Sequence, residues 1–364
     1  MSASRADDER YMKRALGLAV RGAGQVAPNP LVGAVVVRDE EIVGEGWHAR
    51  FGDAHAEVVA LRAAGAAAAG ATMYVTLEPC NHHGKTPPCT DALIAAGIRR
   101  VVCATSDPNS IAAGGAARLT AAGIDVSVGT CEQEARELNA PFFWAQRQAQ
   151  RPWVTLKLAI SIDGAIVDAS RARGWLTGPE ARQAVHTLRA QADAIAIGIG
   201  TALADDPLLT VREVPLPRVA PLRVVFDRTA RLPTTSALAR SAANGPPVVV
   251  CTDGRRGSTQ EALVAMGVQL IEAPSLPAAL EALRARGVHH LLVEGGATLG
   301  SALMAAGLVD RLITFQAPVV LGEGALSAFA TLPSQAAETA PRFRIVDRQQ
   351  LGADLMTTYA VSGD

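Results

Sequence analysis

Four metal-capable side chains stand within TLEPCNHHGKTPPCT, residues 76–90: Cys80, His82, His83 and Cys89. Upstream lies His55-Ala56-Glu57, at the start of the helical stretch HAEVVALRAAGAAAA. Two zinc arrangements are open. A closed structural site would take all four groups of the 76–90 stretch, but His82 and His83 are adjacent, and neighbouring side chains diverge. An open site would take one imidazole, His55, and two thiolates, Cys80 and Cys89, leaving the fourth tetrahedral position to water. Zinc acidifies such a water. Glu57, two residues from His55, is near enough to shuttle protons while staying off the metal. That is the chemistry of hydrolytic deamination of an amino-substituted pyrimidine or purine ring: hydroxide attacks the ring carbon and ammonia leaves.

A second set of residues lies beyond position 150. In WVTLKLAISIDG (153–164), a strand by pattern, Val154, Leu156, Leu158, Ile160 and Ile162 fall on one face, which reads as core. Thr155, Lys157, Ala159, Ser161 and Asp163 fall on the other. Only three of the 34 basic residues are lysines, Lys13, Lys85 and Lys157, and a compact ammonium of tunable pKa on that face marks a candidate site. HHLLVEGGATLGSAL (289–303) reads as strand, Gly-Gly turn and helix, whose backbone N–H groups suit a phosphate. It is not a GxGxxG dinucleotide fingerprint. GIGTALADDPLLTVR (198–212) is another glycine-containing strand exit, with two aspartates and an arginine.

The elements that must position these groups read as two α/β domains. The chain of 364 residues is long enough for two domains of about 150 residues each. Before residue 145, strands at 31–37, 41–48, 73–77 and 100–105 alternate with helical stretches, which predicts a largely parallel sheet. The polar segment AQRQAQRP (145–152) reads as a linker, giving domains 1–148 and 149–364. The alternation then restarts with WVTLKLAI, ADAIAIGIG, LRVVFD, PVVVCTD, HHLLVEGG and RLITFQAP as strands. With 49% hydrophobic and 19% charged residues the composition is that of a packed protein. No apolar run reaches the roughly 18 residues of a membrane span, and the charged N-terminus lacks a secretory h-region. Five cysteines, an odd and low number, suit a reducing cytoplasm rather than a disulfide framework. A net charge of −1 offers no basic field for nucleic acid.

HAE…PC…C resembles the cytidine-deaminase superfamily, in most of which the two cysteines stand two residues apart. Here eight residues separate them. VTLEPCNHHGKTPPCTDALIAAGI, PNPLVGAVVV and GEGWHARFGDAHAEV resemble the bacterial riboflavin-biosynthesis deaminase–reductase family. So do K-L-A-x-S-x-D-G, W-L-T-G, T-x-L-A-D-D-P-x-L-T-V-R and V-E-G-G-x-T-L, and the resemblance runs from about residue 9 to about 360. It implies a cytidine-deaminase-like three-layer α/β/α domain followed by a dihydrofolate-reductase-like α/β domain. It implies that His55, Cys80 and Cys89 hold one zinc ion, that Glu57 shuttles protons and that Asn29 faces the substrate ring. His82, His83 and Lys85 would lie near the substrate's polar end. In the second domain it implies NADPH contacts from Ala159, Trp175, Thr201, Asp205 and the turn Gly296, Ala297, Thr298, Leu299, Gly300, Ser301 and Ala302. Arg189, Leu209, Arg212 and Glu294 would contact the phosphorylated sugar, and Lys157 would hold the ribose chain where hydride arrives at C1. The implied activities are deamination of 2,5-diamino-6-ribosylamino-4(3H)-pyrimidinone 5′-phosphate and then reduction of its ribosyl group to ribityl, in a homo-oligomer without nucleic-acid or membrane partners. Two positions depart from the family pattern: Ser110 with Gly114–Gly115 in DPNSIAAGGAAR, and Arg173–Gly174 where a serine is usual. The competing readings are a nucleoside or tRNA-base deaminase with a non-catalytic C-terminal domain, and a non-enzymatic zinc-stabilised binding module.

Overall fold

The structure is a computed structural model that describes residues 5–84, 87–147, 149–172, 174–254 and 259–361. The chain divides into two compact units, Met1–Ala149 and Gln150–Asp364.

Unit 1 contains strands β1 (Gly33–Arg38), β2 (Glu41–Trp47), β3 (Thr72–Val75), β4 (Arg100–Cys103) and β5 (Asp125–Val128). Its helices are α1 (Arg5–Ala19), α2 (Ala56–Ala64), α3 (Cys89–Ala95), α4 (Gly115–Ala121), α5 (Glu132–Leu138) and α6 (Ala140–Gln146). The sheet order is β2-β1-β3-β4-β5. Strands β3 to β5 are parallel, but β1 is antiparallel to both its neighbours, so the expected parallel character holds for only part of this sheet. The tight connection of β1 to β2 explains the difference. Asp39 and Glu40 both take positive φ, 50° and 65°, the backbone of a two-residue hairpin.

Side chains on the strands alternate between two cores. Ala34, Val36, Met73, Val75, Val101 and Cys103 pack with Ala60 of α2, Leu93 of α3 and Leu119 of α4. Val35, Val37, Tyr74 and Val102 pack with Met12, Ala15 and Leu18 of α1 and Ala135 of α5. The result is the three-layer α/β/α arrangement. Asp8 pins α1 to the sheet, accepting the Tyr74 hydroxyl (2.7 Å) and both terminal nitrogens of Arg100 (2.9 and 2.8 Å). Removing one partner of so buried a pair costs roughly 3–5 kcal/mol.

Two close approaches seat the metal-capable residues. Gly44 and Gly46 let α2 lie flush on β2, because a Cβ at either would overlap the Ala60 or Ala56 carbonyl. That places the first turn of α2, with His55 and Glu57. The Cys80 segment is gripped from the loop after β4. The Glu78 carboxylate accepts the N–H groups of Asp107 (3.1 Å) and Ala116 (2.9 Å), and Asn81 N–H donates to the Ala112 carbonyl (3.0 Å). Gly115 opens α4 directly against the Pro79 carbonyl, where a Cβ would overlap, and Gly114 before it has φ 91°. The glycine pair that departs from the family spacing therefore closes this loop onto the Cys80 segment. Ser110 is exposed.

Unit 2 contains β6 (Trp153–Ile160), β7 (Ala165–Val167), β8 (Ala194–Gly198), β9 (Leu222–Phe226), β10 (Val248–Thr252), β11 (Gln269–Glu272), β12 (His290–Glu294), β13 (Arg311–Gln316), β14 (Leu326–Ser327), β15 (Phe343–Leu351) and β16 (Asp354–Val361). Its helices are α7 (Pro179–Gln191), α8 (Ile199–Asp205), α9 (Ala237–Arg240), α10 (Gln260–Ala265), α11 (Leu276–Ala285) and α12 (Ala297–Ala305). The main sheet runs β11-β10-β9-β8-β12-β6-β13-β16-β15. It is parallel from β11 to β13, and the β15–β16 hairpin adds antiparallel at one edge.

The parity of β6 is as the sequence implies for its first residues. Val154, Leu156 and Leu158 enter a core with Leu280, Leu283 and Leu303, while Ala159 joins Ala181, Val185 and Phe315 against α7. Beyond Ile160 the strand ends, and the expectation fails. Ile162 is 57% exposed. Ser161 and Asp163 close a turn instead of lining a site: the Ser161 hydroxyl donates to Asp163 (2.5 Å), which also accepts from Leu321 (3.2 Å) and Gly322 (2.8 Å) N–H groups. These bonds, that from Ser161 foremost, hold the Asp163 carboxyl at about 2. Thr155 is also occupied, lying 3.0 Å from His290 Nε2.

Replacing Gly115 by alanine forces the Pro79 peptide to shift. The Gly115→Ala protein is expected to bind less than the wild-type complement of zinc, measured by metal analysis, while the thermal transition of unit 2 stays in place.

Candidate active sites

In unit 1 the groups of His55, Cys80 and Cys89 that can ligate a metal lie within 4.8 Å of one another. They come from three elements: the residue that precedes α2, the loop after β3 and the first residue of α3. His55 Nδ1 is 3.2 Å from Cys89 Sγ and 3.5 Å from Cys80 Sγ. Tetrahedral zinc, with Zn–N about 2.0 Å and Zn–S about 2.3 Å, sets N and S roughly 3.6 Å apart, so the triangle fits that ion. Cys80 is drawn down to about 4, first by its hydrogen bond with the Cys89 thiol and then by His55, and the same partnership pushes Cys89 up. The Cys89 backbone N–H also donates to Cys80 Sγ (3.4 Å).

Glu57 lies in the first turn of α2 and is buried, with 3% exposure. Burial raises its carboxyl above the ordinary range, against the pull of His55. His55 and Cys80 border a cavity of about 270 Å³, which Asn29, His48, Glu57, His82, Asp107, Asn109 and Phe142 also line, while Cys89 is fully buried behind them. The 76–90 histidines separate here. His82 faces the cavity, its buried Nδ1 without a hydrogen-bond partner among the described residues. His83 is exposed and does not line it, which corrects the grouping of the two. Lys85 lies outside the described residues.

Sequence reasoning missed His48 and Asp107. Burial pulls His48 below its ordinary pKa, so the neutral ring donates from Nδ1 to the Ala54 carbonyl (3.3 Å) and accepts at Nε2 from the Asn29 amide (3.2 Å). This fixes the rotation of Asn29. Burial lifts Asp107 to about 6, against the Asn109 N–H. Neither role has a local signature, since both depend on partners brought in by the fold.

In unit 2 the candidate residues gather at the carboxyl ends of β8, β12 and β6, the usual place for a ligand in a parallel sheet. Glu294 is the register partner of Lys157. Arg189 of α7 grips Glu294 with Nε (2.5 Å) and Nη2 (2.8 Å), and its Nη1 donates to the Thr210 carbonyl (2.9 Å). Burial disfavours the Glu294 carboxylate, but Arg189 more than offsets this and the group stays below the ordinary range. Burial lowers Lys157, against the pull of Glu294, and its ammonium lies 5.5 Å from the centre of the Phe315 ring.

The other expected residues of this unit are placed as follows. Arg189, expected with Glu294 at the phosphorylated sugar, is paired with Glu294, and its remaining nitrogen holds the Thr210 carbonyl. Leu209 is buried. Leu299, Gly300 and Ser301 are buried too, packed with Leu156 or, for Ser301, accepting from Thr331 N–H (3.3 Å). Gly296 caps the start of α12. There Gly296 N–H donates to the Thr201 hydroxyl (3.1 Å), which brings two expected cofactor residues together. Thr298 and Ala302 are exposed, as are Asp205 and Arg212, and Ala159 is half-buried. Trp175 is 78% exposed, with the Arg182 guanidinium 5.2 Å from its ring centre. Arg173 lies outside the described residues.

Comparison with known proteins agrees with both halves. Residues 5–105 match the cytidine and deoxycytidylate deaminase zinc-binding region, and residues 152–357 match the RibD C-terminal domain. The riboflavin biosynthesis protein RibD of Aquifex aeolicus is 42% identical over 355 residues, covering 97% of this chain and 98% of its own. That of Escherichia coli is 43% identical, covering 96% and 98%. Among solved structures, Acinetobacter baumannii RibD superposes with a TM-score of 0.82 at 39% identity, over 99% of this chain and 100% of its own. A deaminase/reductase from Thermotoga maritima superposes with 0.84 at 34% identity, over 98% and 99%. A zinc-type deaminase unit followed by a reductase unit, matched end to end at this identity, makes the chain a member of the RibD family of riboflavin biosynthesis proteins.

Proposed function

We propose that the two activities of riboflavin synthesis in this chain divide between its units: unit 1 performs the zinc-dependent deamination of the phosphorylated diaminopyrimidine, and unit 2 the NADPH-dependent reduction of its ribosyl group to ribityl. The observation that carries this reading is the convergence of His55, Cys80 and Cys89 within 4.8 Å of one another, beside a cavity that His55, Cys80 and the buried Glu57 line. His55, Cys80 and Cys89 would hold the zinc, whose chemistry when bound is to make water a competent nucleophile near neutral pH. Glu57 is the proton carrier. Its raised carboxyl can accept a proton from the attacking water and release it to the departing amine. Asn29, its amide held by His48, presents its remaining hydrogen-bonding groups to the pyrimidine ring. His82 contributes a ring nitrogen to the same cavity without joining the metal.

In unit 2 the opening of α12, with Thr201 beside it, supports a nucleotide phosphate, and NADPH bound there supplies hydride. Lys157 holds the ribose chain, and Glu294 keeps the ammonium aimed toward the sugar's C1. Arg212, exposed on the segment after α8, is the cation for the substrate phosphate. Arg189 supports that segment from behind rather than reaching the ligand. The reading includes a cytoplasmic location, where the thiols offered to zinc stay reduced.

Three variants test this reading. His55→Ala should lose zinc, whereas His82→Ala and His83→Ala should keep it, as read by metal analysis. Glu57→Gln should keep zinc and lower ammonia release roughly 10²–10⁴-fold, with NADPH oxidation on the deaminated intermediate unchanged. Lys157→Met should do the reverse, lowering NADPH oxidation by about 10²-fold and sparing ammonia release. Loss of both activities in either of the last two variants, with the fold intact, contradicts the division.

A further inference from the structure

The segment Asp206–Glu213 carries Leu209 and Arg212, and it holds them in unfavourable backbone. Asp206, Leu209 and Glu213 all take positive φ, 40°, 51° and 61°, and none is glycine. Such conformations persist only where the surroundings over-determine them. Beside the Asp206 N–H bond to the Ala202 carbonyl (3.1 Å), four hydrogen bonds that involve a side chain do so. Ala237 N–H donates to the Asp206 carboxylate (2.7 Å), and the buried Arg223 of β9 donates to the Leu208 carbonyl (3.4 Å). Helix α7 supplies the other two: Arg189 donates to the Thr210 carbonyl (2.9 Å), and His186 Nδ1 accepts the Arg212 N–H (3.3 Å).

The His186 bond differs from the rest because the ring must supply a lone pair. His186 is buried, with 6% exposure. It faces Arg189 on its own helix, Arg212 and Glu213 on the segment, and Glu294 from β12. A protonated ring would lose the acceptor and add a third cation beside two guanidiniums. Arg189 is itself fixed by Glu294, so α7 contacts the segment through two side chains one helical turn apart.

We infer that His186 is a positioning residue of the reductase unit: its Nδ1 fixes the backbone of Arg212 and so aims that guanidinium at the substrate phosphate. This rests on the reading of Arg212 as a substrate contact. Burial, followed by Arg189 and Arg212, holds the His186 pKa below its ordinary value. The acceptor is therefore present at neutral pH and is lost as pH falls through that lowered value.

The test uses the full-length protein, with NADPH oxidation measured on the deaminated intermediate. His186→Leu should raise the KM for that substrate about tenfold, the effect of one lost hydrogen bond, with kcat and the KM for NADPH near wild type. His186→Asn, whose side-chain oxygen can replace Nδ1, should restore the KM to within about twofold. The double variant with Arg212→Ala should be no worse than Arg212→Ala alone. The thermal transition of unit 2, unchanged from wild type, reports that each variant is folded. If Arg212→Ala leaves KM unchanged, the reading of Arg212 fails and the inference falls with it. If Arg212→Ala raises KM and His186→Leu does not, or if His186→Asn is as impaired as His186→Leu, the inference alone is overturned. Should His186→Leu not fold, the pH profile decides. Wild-type KM should rise more steeply toward acid than that of His186→Asn, the titration of the substrate phosphate being common to both. Parallel profiles would overturn the role of His186.

Discussion

Three ligand groups from three separate elements must meet at the edges of one metal coordination sphere, and the architecture of unit 1 follows from that constraint. One imidazole comes from the residue before α2, one thiolate from a loop and one from the start of α3. Each needs its own anchor. The β2 glycines seat α2 against the sheet, Glu78 ties the Cys80 segment to the loop after β4, and Gly115 allows that loop to close over Pro79. His82, which stands between the two cysteines in the sequence, also reaches the cavity. A metal bound by so few groups gains its rigidity from these outer contacts, as the partners of metal ligands generally provide.

Unit 2 solves a different problem, which is to hold three ionisable groups in a poorly hydrated place. Lys157 and Glu294 are opposed across neighbouring parallel strands, and Arg189 closes the group from α7. Such a cluster is retained only when each charge is paired, and here the pairing also serves geometry. Arg189 reaches through the cluster to the Thr210 carbonyl, which couples the charge arrangement to the backbone that presents Arg212.

Much of this was legible in the sequence, and the exceptions share a cause. The three metal-capable groups that the fold brings together could be picked out because one tripeptide and two cysteines carry a defined chemistry at defined positions. The site face of β6 could be read because parity is local, and it failed at Ile162 where the strand ends and parity no longer applies. That Arg189 and Glu294 would pair with each other was not legible, because they lie 105 residues apart. His48, Glu78 and His186 went unnoticed for the same reason, since each acts through a partner that only the fold supplies. Hairpin β15–β16 was missed because β15 is mostly exposed and shows no apolar alternation. Ser161 and Asp163 looked like site residues by composition and proved to be turn residues by their bonds.

The central claim is that one chain carries two chemically separate sites, only one of which depends on metal. The most direct measurement is to strip zinc with a chelator under reducing conditions and follow both half-reactions on the folded protein. The account predicts that ammonia release from the diaminopyrimidine substrate disappears and returns on adding zinc, while NADPH oxidation on the deaminated intermediate keeps its original rate. Persistence of ammonia release in the metal-free protein, or loss of NADPH oxidation together with the metal while the fold is intact, would contradict it.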